Sequence, residues 1–160
     1  MIHSPFTLHN SLKHHGCHTS YLLFKDNCEE AFNHYRTVFG GDFNGVIRFK
    51  DMPMSDDPLP DDVANLIMHI ALPISNGHMI MGSDCPPGWA PKYRHGNNVN
   101  LSITVNSREE ADRLHKQLSD GGTVKEPMAD APWGDYFGML TDRFGIEWMI
   151  SFDPTGKYKG

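Results

Sequence analysis

The chain has 160 residues, with 14 Lys and Arg against 20 Asp and Glu for a net charge of -6. That length suits one globular domain, or two small modules sharing a core, and buries about two-thirds of the unfolded surface. No Lys/Arg cluster could track a phosphate backbone, which argues against nucleic acid and anionic membrane as partners.

Three cysteines, Cys17, Cys28 and Cys85, lack Cys-x-x-Cys spacing, so neither a disulfide framework nor a structural zinc site is indicated, and a reducing cytoplasm fits. The opening stretch "MIHSPFTLHNSLKHHGCH" has no continuous apolar core of the signal-peptide kind, and no run approaches the roughly 18 apolar residues of a membrane span. The expectation is an unexported, cytoplasmic protein. His3, His9, His14, His15 and His18 suggest metal binding at first sight. Without an apolar period to offset ordering entropy, residues 1–18 read instead as a polar, loosely held extension.

From residue 19 the chain repeats itself. "TSYLLFKDNCEEAFNHYRTVFGG" (19–41) and "NLSITVNSREEADRLHKQLSDGG" (100–122) share one grammar. Each opens with an alternating strand, apolar at Leu22 and Phe24 or at Leu101, Ile103 and Val105. A capping residue follows, Asn27 or Ser107, then Glu-Glu-Ala and a helical period ending at Gly-Gly. Three further strands follow in each half: 43–49, 64–74 and 78–83, then 123–127, 134–141 and 146–152. The pattern is βαβββ twice, an α+β fold with a module at 19–84, a linker at 85–98, a second module at 99–152 and a tail at 153–160. The acidic, proline-rich stretch 51–62 reads as a flap. Trp89 and Tyr93 in the linker could close over a ligand.

One helix covers only one sheet face, so the opposite face must meet another module, a ligand or water. Strand alternation assigns Leu66, Met68, Ile70 and Leu72 to the helix side and Asn65, Ile67, His69 and Ala71 to a concave side. By the same rule Thr19, Tyr21 and Leu23, then Asn98, Asn100, Ser102 and Thr104, then Glu147, Met149 and Ser151 turn inward. The resulting cup gathers His69, Asn100, Ser102 and Glu147 among Tyr21, Met79, Met81 and Met149. A mostly apolar surface with few polar groups is what a small-molecule site needs.

With these stretches in view, the chain resembles the vicinal-oxygen-chelate superfamily, which includes glyoxalase I, bleomycin-resistance proteins, fosfomycin-resistance enzymes and extradiol dioxygenases. More narrowly it resembles the PhnB-like branch, through "YLLFKDNCEEAFNHYRTVFGG", "MHIALPI", "MGSDCPP", "GNNVNLSITV" and residues 109–151. The resemblance implies paired βαβββ modules forming a cupped mixed sheet with helices on its outer face. It also implies four metal-ligand places, which fall here on Thr19, Met81, Asn100 and Met149. Methionine and asparagine are poor substitutes for the His and Glu that bind zinc, iron, manganese or nickel, so no cofactor is expected.

A relocated metal site around His69 and Glu147, joined by Asp84 or Asp135, is the alternative. It would make the protein a metal-dependent lyase or dioxygenase. His69 and Glu147 are also the candidate catalytic pair: a buried carboxylate beside Trp148 and methionines, with an imidazole nearby, could abstract a proton next to a carbonyl. Otherwise His69 is a hydrogen-bonded wall residue and Glu147 an acceptor for a ligand or for Tyr136. Cys28, near a helix start, could have a lowered pKa, but exposed, unreactive thiols are the plainer reading of Cys28 and Cys85. Trp89, Trp133 and Tyr136 lie where a flat or cationic ligand could stack. The branch sometimes carries a demethylubiquinone methyltransferase label, yet no glycine-rich strand-to-helix turn precedes an acidic residue for the adenosyl ribose. The functional expectation is a homodimer with two cups that bind a small organic molecule, or a sequestering protein of bleomycin-resistance type.

Overall fold

The computed structural model describes residues 19–52, 58–75, 77–86 and 93–156. The histidine-rich stretch, Cys17, Trp89 and the middle of the acidic flap lie outside the described residues. The first module runs β1 (Ser20–Phe24), α1 (Cys28–Phe39), β2 (Val46–Arg48), a 3-10 turn (Phe49–Asp51), α2 (Asp61–Ala64), β3 (Ile67–Ser75) and β4 (His78–Asp84). The second runs β5 (Leu101–Val105), α3 (Arg108–Leu118), β6 (Thr123–Asp130), β7 (Tyr136–Thr141) and β8 (Glu147–Phe152). Each module forms a four-stranded mixed sheet, in the orders β1-β4-β3-β2 and β5-β8-β7-β6. The opening strand of each pairs in parallel with the closing one. This is the expected α+β fold of two βαβββ modules.

The two helices start differently despite their common grammar. Ser107 Oγ accepts from the Glu110 amide at 3.1 Å, and Glu110 reaches back to the Asn106 amide. Asn27 makes no side-chain cap. Asp84, at the far end of β4, takes that role: Oδ1 accepts from the Cys28 amide at 2.9 Å and Oδ2 from the Ile67 amide at 2.8 Å. Burial raises the Asp84 pKa, while the two amides oppose the rise.

Alternation along β1 puts Leu22 and Phe24 under α1 and turns Tyr21 and Leu23 outward. Gly82 of β4 leaves the space that the Phe32 ring fills, since a Cβ there would stand 2.6 Å from it. The core then continues without a break from Phe24, Phe32 and Leu72 to Leu114, Leu140, Trp148 and Ile150. The modules meet on their helix-covered sides: Tyr35 and Phe39 of α1 pack against Trp148 at ring distances of 5.6 and 5.8 Å. Arg113 of α3 donates to the Val38 carbonyl.

Ile67 corrects the expected facing. It is 1% exposed and belongs to the core, because β3 holds one extra residue, Met68, against β2: Ile47 opposes His69 while Arg48 opposes Ile67. The bulge reverses the facing below it and leaves His69 where alternation put it. Residues 61–64 at the end of the flap form the short helix α2.

Candidate functional site

The face of the second sheet that turns away from the helices can be read from its register. Phe137 stands opposite Ser151 and Ser151 beside Thr104; Met139 stands opposite Met149 and Met149 beside Ser102; Thr141 stands opposite Glu147. Extending the parallel register by one residue places Asn100 beside Glu147. In the first sheet the matching face carries Tyr21 beside Met81, Met81 opposite Ala71, and His69 opposite Ile47.

Glu147 is buried, and its carboxylate pairs with the Lys125 ammonium and accepts from Thr141 Oγ1 at 3.1 Å. Lys125 comes from β6, where Val124 opposes Leu140 but Glu126 already opposes Met139. Lys125 is therefore the extra residue of a bulge, a device that re-aims a side chain. Asn100 Oδ1 is buried and has no hydrogen-bond partner among the described residues. His69 is half-buried, with Nδ1 3.3 Å from the Tyr21 hydroxyl and the rings 5.8 Å apart. Tyr21 itself is 48% exposed. His69 and Glu147 thus have different partners on different sheets.

Tyr136 departs from the expectation. It shares a side with Leu140, its hydroxyl donates to Asp112 of α3 at 2.8 Å, and the Arg108 guanidinium lies 4.3 Å over its ring. Phe137, one residue on, takes the cup side, and Trp133, 65% exposed, meets it edge-on at 5.5 Å. Trp89 lies outside the described residues. Ser102 is exposed on the face.

Asp84 is committed to its two amides, and among the described residues no three His, Cys, Asp or Glu side chains converge as a metal set would require. Cys28 is not an exposed thiol: it is fully buried, and burial, aided by Asp84, pushes its pKa up rather than down. Cys85 is half-buried and shifted in the same direction. Neither thiol has the electropositive, accessible setting of a nucleophile.

A cleft of about 400 Å³ lies between Lys25, Asp62, Leu66, Cys85 and Tyr93 of the first module and the linker, and another of about 450 Å³, lined by Asn27, His95 and Arg143, lies where the modules meet. Neither cleft includes Glu147, Lys125 or His69, which the sheet faces carry.

Residues 17–151 match the family described as 3-demethylubiquinone-9 3-methyltransferase. The chain belongs to that family. Protein YjdN of Escherichia coli is 28% identical over 138 residues, covering 82% of this chain and 91% of that protein. The structure of protein PA1353 from Pseudomonas aeruginosa is 35% identical over 85% of this chain and 96% of its own, with a TM-score of 0.73. A Bacillus cereus structure described as a putative 3-demethylubiquinone-9 3-methyltransferase, PhnB protein, has 22% identity, a TM-score of 0.67, and coverage of 84% and 98%. A glyoxylase/bleomycin resistance protein/dioxygenase domain from Frankia shares the fold at 16% identity and a TM-score of 0.61, covering 89% and 95%. The paired sheets that position Glu147, Lys125 and His69 in this chain are thus a fold that the Pseudomonas protein and the Frankia domain share.

Proposed function

We propose that the chain binds a small organic molecule on the helix-free faces of its sheets without the superfamily metal, as a cytoplasmic homodimer in which a second copy completes each face. The carrying observation is the makeup of the second sheet's face. Phe137, Met139 and Met149 are half-buried around one buried carboxylate with its own cation, and Ser102, Thr104 and Ser151 lie alongside. Such a face offers apolar area for affinity and a few fixed polar groups for orientation.

Two further observations support the metal-free part. The four ligand places that the superfamily resemblance implies hold Thr19, Met81, Asn100 and Met149, whose side chains are weak ligands for such metals. The best carboxylate on the face, Glu147, already has a cationic partner. The methyltransferase named in the family description would need an adenosyl-donor pocket. Among the described residues, the positive-φ glycines Gly40 and Gly41 come after helix α1 rather than between a strand and a helix, so they do not form the turn such a pocket uses.

Elemental analysis of protein purified without chelator tests the reading. Less than a stoichiometric amount of any transition metal is expected, and about one equivalent that disappears in His69→Ala would overturn it. A thermal-shift screen of small organic molecules should find ligands whose stabilisation is reduced by Met149→Lys.

A further inference from the structure

A buried carboxylate on a mostly apolar face at first suggests a cationic ligand, and Glu147 is the acid in question. Three features of its surroundings alter that. The carboxylate is only 8% exposed at its side chain, so water cannot replace a lost partner, while Lys125 remains 39% exposed and can still meet a ligand. The β6 bulge presents Lys125 on this face. The remaining close partner, Thr141, is neutral.

We infer that Lys125 sets the charge class of the ligand: its ammonium cancels the Glu147 carboxylate, so this corner takes an uncharged group that offers both a carbonyl-type oxygen and an N–H or O–H donor. The inference rests on the reading that the face binds a small molecule. An ammonium has three donor protons and spends one on Glu147, leaving donors for a ligand oxygen. The buried, unpartnered Asn100 Oδ1 is the acceptor for the ligand's own donor. A free cation would have to displace Lys125 from Glu147. A free anion would draw Lys125 away and strand a buried charge, the most unfavourable state of such a pair. Glu126, next along the edge, is exposed and leaves the balance to Lys125 and the buried Glu147.

Three flat probes of matched size, benzamide, benzylamine and benzoate, test this on the full chain by NMR titration of the β7 and β8 amides. Benzamide should bind the wild-type protein at least about tenfold more tightly than either charged probe. Lys125→Met should strengthen benzylamine, and Glu147→Gln benzoate, each by about tenfold. Lys125→Arg keeps the pair and should keep the wild-type order. The inference is overturned if a charged probe matches benzamide on the wild-type protein, or if both charge-removing variants keep its order. If no probe perturbs this face in any variant, the small-molecule reading itself is overturned.

Discussion

Asp142 receives four donors: the Tyr35 hydroxyl at 2.7 Å, the Trp148 indole N–H at 2.8 Å, and the Phe144 and Ile146 amides at 2.8 and 2.9 Å. It opens the β7–β8 turn and is almost wholly buried. Removing its carboxylate leaves several buried donors without acceptors, so Asp142→Ala should lower unfolding stability by about 3 kcal/mol in a urea titration. Tyr35→Phe removes one donor and should cost about 1 kcal/mol. The Tyr35 hydroxyl is itself held far above its usual range, by burial first and by Asp142 next.

His34 gives the chain an acid sensitivity. Its Nε2 is buried without a partner among the described residues, and its ring lies against Tyr35 and Phe144 at 6.0 and 5.8 Å. Burial and the Arg143 charge lower its pKa, against smaller opposing effects of Asp142, Asp120 and a backbone hydrogen bond with Gln117. The unfolded chain therefore takes up a proton near the ordinary histidine value of about 6.5, while the folded chain resists it. Stability should fall as pH drops from there toward the lowered folded value. Urea midpoints measured across this window should show a slope that flattens in His34→Gln.

At the scale of elements, helix starts separate local from distant causes. Ser107→Ala should cost about 1 kcal/mol of stability, whereas Asn27→Ala should change little, since Asn27 makes no cap bond. Asp84→Ala strands two buried amides and should cost about 2 kcal/mol or more. Chemical unfolding of the three variants measures the order directly. The same contrast explains what could be read from the sequence. The repeat of strand, Glu-Glu-Ala helix and Gly-Gly is local, and every main helix and strand appears near its expected place. Bulges are not local: Met68 and Lys125 are extra residues only relative to a neighbouring strand. Period-two alternation therefore puts Ile67 on the wrong face and does not single out Lys125. Alternation with Leu140 places Tyr136 on the helix side, where its hydroxyl reaches Asp112.

For the whole molecule, the faces that bear the candidate groups look away from the shared core, and Tyr21, Leu23 and Val99 are 48, 50 and 71% exposed. Strands β1 and β5 are each at a sheet edge, with main-chain groups open to pairing. Light scattering of the purified protein should give twice the chain mass. Tyr21→Lys combined with Leu23→Lys should shift it toward a single copy while keeping the circular dichroism of the fold.

The ring of Trp148 has a practical consequence. It is fully buried, donates to Asp142 and touches Tyr35 and Phe39 across the seam, whereas Trp133 is 65% exposed on the β6–β7 hairpin. Trp148 is thus a built-in optical reporter of the two halves docking. Part of its emission change should report segments more than a hundred residues apart finding each other, since Tyr35 and Asp142 are separated by 107 positions. Contacts closed over so long a stretch of chain form late. Stopped-flow refolding should therefore show far-ultraviolet helix signal growing in before the fluorescence of this one indole settles.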